Sequence, residues 1–185
     1  MDQGASSYRR FLEGDDGGMV ELIRDYKDGL IFYLSSFTGS IHTAEELMEE
    51  TFVKLAIRRP RFSGRSAFKT WLYAIARNVA MDWLRKNPKG RTVSMEELGD
   101  SLAEEASLER SLLLEERAVI LHRAMQKLRP EYAQVLHLIY FEEFTNAQAA
   151  AVLHKGKRQM ENLTCRARKS LREELEREGF VYEAL

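Results

Sequence analysis

The chain has 185 residues, enough for one domain or two small ones, with 44% hydrophobic residues, 31% charged residues and a net charge of −1. Its single cysteine, Cys165, excludes an internal disulfide framework and fits a reducing cytoplasm. No apolar run approaches a membrane span and the first residues lack the apolar core of a signal peptide, so a cytoplasmic protein without membrane insertion is expected. The near-zero total hides blocks of −7 over residues 1–53, +10 over 54–91, −7 over 92–116 and +3 over 117–185. A +10 block is a footprint for a polyanion, whereas the acidic blocks would repel one and should face something else.

Helical periods dominate and no strand-like alternation stands out. Residues 1–16 read as a ragged start with a short helical turn around Tyr8 to Leu12, punctuated by Gly17-Gly18. Met19, Leu22, Ile23, Tyr26, Leu30, Ile31, Leu34 and Phe37 trace an amphipathic helix that contains Gly29 and ends at Gly39. Thr43-Ala-Glu-Glu46 has the form of a capping box. The helix that follows, to about Arg58, turns Ala44, Leu47, Met48, Thr51, Phe52, Leu55 and Ala56 inward and Glu45, Glu46, Glu49, Glu50 and Lys54 outward. Acids in its first turn suit the helix dipole, which accounts for Glu45 and Glu46 better than for Glu49 and Glu50.

Arg58-Arg59-Pro60-Arg61 breaks that helix and opens the basic block. A third helix follows over 66–87, with Ser66 as the expected N-cap and Asn87-Pro88 as the stop. Its apolar face is Phe68, Trp71, Leu72, Ile75, Ala76, Val79, Ala80, Trp83 and Leu84. Its other face holds Lys69, Thr70, Tyr73, Arg77, Asn78, Met81 and Arg85, which suits a polyanion. Asp82 and Arg85 are spaced to pair with each other. The three helices can bury their apolar faces together as a small bundle.

Residues 88–112 are polar, acidic and weakly periodic, the pattern of a flexible tether. Helical periods resume from Leu113 to Leu128, and Pro130 suits the first turn of another helix, running to about Glu143. Thr145-Asn-Ala-Gln148 is a second capping box, opening an alanine-rich helix to Leu153. A turn containing Gly156 precedes a long basic helix from Arg158 to about Arg177, with Met160, Leu163, Thr164, Ala167, Leu171 and Leu175 inward. A short alanine-rich helix, a turn and a longer basic helix spell a helix-turn-helix. The exposed face of the second helix carries Arg158, Gln159, Asn162, Cys165, Arg166 and Lys169, side chains suited to base edges and phosphates. The fold class expected is all-α: two small helical domains joined by a flexible acidic linker, the second a helix-turn-helix.

Three stretches resemble the bacterial RNA polymerase sigma factors of the extracytoplasmic-function group. AEELMEETFVKLA (44–56) is similar to that family's polymerase-docking helix, and FSGRSAFKTWLYAIARNVAMDWLRK (62–86) to its promoter-melting and −10-reading segment. LRPEYAQVLHLIYFEEFTNAQAAAVL (128–153) with RARKSLREEL (166–175) is similar to its −35-reading domain. The resemblance implies core RNA polymerase and promoter DNA as partners, with an anti-sigma factor as a candidate third. It implies polymerase binding by Glu46, Leu47, Glu49, Glu50 and Phe52. For the −10 element it implies capture of a flipped base by the loop Arg61, Phe62, Ser63, Gly64, Arg65 and Ser66, flanked by Lys69, Tyr73, Arg77 and Asn78. For the −35 element it implies Lys157, Arg158, Gln159, Asn162, Cys165, Arg166 and Lys169. The corresponding domains are 1–90, a linker over 91–112, and 113–185. One departure is Glu161, at a position often basic in relatives, which repels phosphate and can accept from cytosine.

Enzyme chemistry is not expected. His42, His122, His137 and His154 are scattered, none at metal spacing with Cys165, and there is no phosphate loop or paired nucleophile, so no catalytic residue, metal or cofactor is assigned. The competing reading is a stand-alone helix-turn-helix regulator, which explains 130–178 and leaves the acidic helix and the 62–86 segment without a role.

Overall fold

The computed structural model describes residues 2–88 and 119–180. The expected acidic linker over 91–112 lies outside them. Among the described residues all regular structure is helical. The first group comprises α1 (Gln3–Leu12), α2 (Gly17–Thr38), α3 (Ile41–Arg58) and α4 (Phe68–Lys86). The second comprises α5, whose described part covers 119–127, α6 (Pro130–Leu136), a π-helical turn over His137–Phe141, α7 (Asn146–Leu153) and α8 (Lys157–Arg177).

In the first group α2 packs against α1, α3 and α4, and α3 closes the bundle against α4. Leu22, Leu30, Leu34, Phe37, Ala44, Leu55, Leu72, Ala76 and Val79 form the shared core, as the 3.6-residue period requires. The aromatic part lies at one end, where Tyr8, Phe62 and Trp71 surround Phe68 with ring centroids 5.4–5.6 Å from it. Trp71 and Trp83 pack against the core without being fully covered. Asp82 pairs with Arg85.

The N-terminal segment is not ragged. Asp2 caps α1 by accepting from Ala5 N at 3.2 Å, and its second carboxylate oxygen accepts from Phe68 N at 2.6 Å. One side chain therefore satisfies the starts of two helices separated by 66 residues. Ser66 is not the cap of α4: Ala67 occupies the N-cap position and has no side chain able to bond there. Thr43 does not open α3 either. The helix begins two residues earlier, capped by Ser40, whose Oγ accepts from Thr43 N at 3.3 Å. The Thr145–Gln148 box forms as expected and starts α7.

The second group buries Val135, Leu136, Leu138, Val152, Leu153, Met160, Leu163 and Ala167. α7 packs against α8, and Ala149 on the first and Met160 and Leu163 on the second are buried. The helix expected to reach Glu143 instead changes to a π turn at His137, with Glu142 N donating to His137 O at 3.1 Å. The two groups pack together: α7 lies across α4, and α6 and the π turn lie against α2.

Replacing Asp2 by Ala should remove both cap bonds. Urea unfolding of Asp2→Ala should show a loss of about 1–2 kcal/mol, the upper part of the range for an N-cap.

Candidate nucleic-acid interface

The segment between α3 and α4 is anchored at its start and open beyond it. Arg59 ends α3 in the left-handed region at φ 43°, its guanidinium 5.1 Å from the centroid of the Phe11 ring. Pro60 O accepts from the Tyr8 hydroxyl at 2.8 Å. Burial pushes the Tyr8 phenol up to about 12, against the lowering effect of Arg59, so this group is a neutral donor. Arg61, Ser63, Arg65 and Ser66 are exposed and Phe62 is half-buried. With Asp2, Tyr8 and Arg9 of the N-terminal segment, Arg61, Phe62 and Ser63 line an open cavity of about 520 Å³. The wall from α1 was not assigned from the sequence, because only folding brings residues 2–12 to this loop.

α4 splits the remaining −10 candidates. Asn78 is exposed beside a groove lined by Lys54, Arg58 and Asp82. Lys69, Tyr73 and Arg77 lie at i, i+4 and i+8 on a different stripe, of which Lys69 and Tyr73 meet the second helical group and Arg77 lies near Tyr33 of α2. Tyr73 has no exposed surface. Assigning Thr70 and Tyr73 to an open face therefore needs correction: both are buried. Lys69 Nζ pairs with Glu142 Oε2 at 2.8 Å and donates to the Glu142 backbone oxygen at 3.0 Å. The Tyr73 ring packs edge-on against Phe144, 5.3 Å between centroids.

Glu142 is the centre of this contact. His137 Nε2 stands 3.3 Å from its Oε1, at ion-pair distance but without hydrogen-bond geometry. Burial raises the Glu142 carboxyl, but His137, Lys69 and Tyr73 beside it outweigh that effect and hold it down at about 2. The same burial, with the Glu142 charge, pushes the Tyr73 phenol well above its ordinary value. Gly29 of α2 is required here: a Cβ would stand 2.5 Å from both Glu142 Oε1 and Tyr73 Oη. The glycine inside the α2 pattern is thus where that helix leaves room for Glu142 and Tyr73.

In the second group, Lys157, Arg158, Gln159, Asn162, Cys165, Arg166 and Lys169 are all exposed on α8, opposite buried Met160, Leu163, Thr164 and Ala167. Gln159 is partly committed, since its Oε1 accepts from Gly156 N at 3.0 Å and caps the helix. The left-handed residue of the preceding turn is His154, at φ 53°, and not Gly156. Glu161 is exposed beside Asn162.

On α3 the structure separates the polymerase-docking candidates. Glu46, Glu49 and Glu50 are exposed. Leu47 and Phe52, at 2% and 5% exposure, are buried in the core of the bundle. The apolar surface on that helix is Val53 and Ile57, at 51% and 77%. Residues 46, 50, 53 and 57 fall on one helical stripe, so acids and exposed aliphatic side chains form one continuous strip. Exposed apolar residues at this spacing were a legible signal that the sequence reading passed over.

A cationic loop and helix in one bundle and a helix-turn-helix in another define a DNA-binding transcription protein. Residues 22–89 match Sigma-70 region 2 and residues 118–171 match Sigma-70, region 4. The chain is 30% identical over 152 residues to the ECF RNA polymerase sigma factor SigM of Bacillus subtilis (strain 168), covering 82% of this chain and 91% of that protein. It is 25% identical over 175 residues to SigW of the same organism, covering 90% and 94%. In fold it is similar to the sigma factor RpoE of Bartonella quintana, solved in complex with the anti-sigma factor NepR. The TM-score is 0.64 at 24% identity, over 84% of this chain and 95% of that one. It is likewise similar in fold to CnrH, solved with the cytosolic domain of CnrY, with a TM-score of 0.61 at 20% identity, over 94% and 95%. The chain belongs to the extracytoplasmic-function family of RNA polymerase sigma factors. The region 2 match disfavours a stand-alone helix-turn-helix regulator.

The depressed Glu142 carboxyl sets an acid limit. A carboxyl held below its ordinary 4.5 stabilises the fold above that value, and the contribution disappears as the pH falls toward about 2. Wild-type stability in urea should therefore drop more steeply over that window than that of Glu142→Gln.

Proposed function

We propose that the outer strip of α3 docks on core RNA polymerase, that the 61–66 loop with α4 reads the −10 strand, and that α8 reads the −35 duplex. In this reading residues 1–90 are the polymerase-binding and −10 domain, 91–112 the tether and 113–185 the −35 domain. The observation that carries it is the spatial separation of surfaces. The acidic and aliphatic strip of Glu46, Glu49, Glu50, Val53 and Ile57 lies on one helix, and the cations of the 61–66 loop and α8 lie elsewhere. Acids so close to a DNA-binding block need a basic protein partner, because DNA would be repelled.

Within the first domain, the cavity between α1 and the 61–66 loop suits a base swung out of a single strand, with Phe62 offering a ring and Arg9 and Arg61 offering donors. Sigma factors act as transcription initiation factors rather than as catalysts. Among the described residues no helix is long and apolar enough to cross a membrane. A cytoplasmic location follows from work on chromosomal promoters, and an anti-sigma factor remains a candidate third partner. The anti-sigma partners in the two solved complexes belong to those proteins.

Pull-down with bacterial core polymerase, followed by transcription from promoters recovered with the reconstituted holoenzyme, tests the assignment. Val53→Ala with Ile57→Ala should weaken core binding and leave the unfolding midpoint nearly unchanged. Phe52→Ala should cost about 3–5 kcal/mol of stability, reducing binding only through loss of the fold. Asn162→Ala or Arg166→Ala should lose about 1–3 kcal/mol of discrimination at one −35 base pair while core binding survives. Equal loss of both activities would contradict separate sites.

A further inference from the structure

We infer that α1 is part of the −10 reader: Asp2 and Tyr8 are positioning residues that fasten the base-reading loop at its two ends. The inference rests on the proposed role of the 61–66 loop in −10 reading and adds the device that sets the shape of that loop.

Three observations carry it. First, residues 61–66 hold themselves in place weakly. They lie outside any helix, and among the described residues they make no hydrogen bond and no ion pair. Only Phe62 is held, by ring contacts with Phe68 and Trp71 at 5.5 and 5.2 Å between centroids. Gly64 turns the chain in the left-handed region at φ 70°, with open space around it. A loop of this kind, left free, must be ordered at the moment of binding, which costs affinity.

Second, both ends of the loop are tied, and both ties come from α1. Before the loop, the Tyr8 hydroxyl donates to Pro60 O at 2.8 Å. After it, Phe68 N donates to Asp2 Oδ2 at 2.6 Å. Asp2 at the N-cap and Tyr8 within the helix stand on one rigid element, so the two ends of the loop are held at a set separation.

Third, α1 is pressed closely against the start of α4. At Gly4 a Cβ would stand 2.5 Å from Phe68 Cδ1 and from Tyr26 Oη. Tyr8 is buried, its ring 5.6 Å from Phe68 and 5.4 Å from Trp71, the two rings that hold Phe62. One helix therefore fixes the loop ends by hydrogen bonds and its anchored side chain through the shared aromatic cluster. A site held in shape before its ligand arrives binds with less ordering cost and discriminates better.

The Asp2 carboxylate repels phosphate, so its direct effect on a nearby strand and its effect through the loop have opposite signs. Removing its charge should tighten binding of every sequence if only the charge matters. Removing its bond should flatten base preference if it positions the loop.

The test uses the full chain in holoenzyme with bacterial core polymerase. The probe is a premelted promoter fragment with a fixed −35 element and a randomised −10 strand, and bound fragments are sequenced. Tyr8→Phe keeps the ring and removes one tie. Asp2→Asn keeps one acceptor oxygen, and Asp2→Ala keeps none. Preference is a ratio between bases within one sample, so a smaller folded fraction cancels from it. At the most strongly selected −10 position the preference should fall about two- to tenfold in Tyr8→Phe, the range that one lost hydrogen bond carries. It should fall further in Asp2→Ala than in Asp2→Asn. Core binding, and −35 preference measured on a second library, should stay at the wild-type level. In the free variants amide exchange over residues 61–68 should quicken while that of α8 does not.

Unchanged −10 preference in Tyr8→Phe and Asp2→Ala would overturn the inference. So would a −35 preference that falls in the same proportion, because α1 would then act through the whole fold. Uniformly tighter binding by Asp2→Asn with preference retained would leave only a charge effect and overturn it too. Phe62→Ala separates this inference from the reading beneath it. If Phe62→Ala flattens −10 preference and the α1 variants do not, the loop reads without help from α1. If Phe62→Ala leaves the preference intact, the 61–66 loop does not read the −10 strand and both fail.

Discussion

The ion pair between Lys69 and Glu142 is the interaction on which the arrangement of the two domains depends. Glu142 is nearly covered while Lys69 keeps a third of its side chain exposed, and taking the carboxylate out of water costs free energy that the attraction offsets only with good geometry and further bonds. Lys69 has that geometry. Its neighbours do not all share it, since Tyr73 Oη and His137 Nε2 beside the carboxylate lack hydrogen bonds. The pair holds the Glu142 segment, between the π turn and α7, against α4, and the apolar contact of Tyr73 with Phe144 supplies attraction around it. A contact built this way specifies a position firmly and binds moderately.

The same helix explains why three activities fit in so short a chain. α4 gives its aromatic end to the core formed with α1, α2 and α3, its Asn78 side to an open groove, and its Lys69 side to the second domain. α3 next to it divides more simply, with Leu47 and Phe52 inside and the Glu46 to Ile57 strip outside. Acidic and basic surfaces can then be neighbours in sequence without neutralising each other, because the helices point them in different directions.

Much of this was legible. The 3.6-residue period located α2, α3, α4, α7 and α8 within a few residues, and the Thr145–Gln148 box marked the start of α7, because both signals are local. The cap of α4 was illegible for the opposite reason: it comes from Asp2, far away in the chain, so Ser66 seemed the natural candidate. The ordered α1 was missed because its support is tertiary, through the Phe68 amide, the Pro60 carbonyl and the aromatic cluster. Leu47 and Phe52, given a docking role by resemblance, are buried as their own period requires, and the exposed aliphatic side chains of α3 are Val53 and Ile57.

By itself, then, the sequence determined an all-helical chain, the helix-turn-helix with its exposed α8 face, and the separation of acidic from basic segments. Each of these depends on neighbours within a few residues or on charge counted along the chain. Only the tertiary structure decided that Tyr73 is buried, that α1 walls the 61–66 loop and that Gly29 admits Glu142. Those outcomes depend on which side chains from distant helices arrive at the same point. No period or local propensity encodes the meeting of Lys69 with a carboxylate 73 residues away.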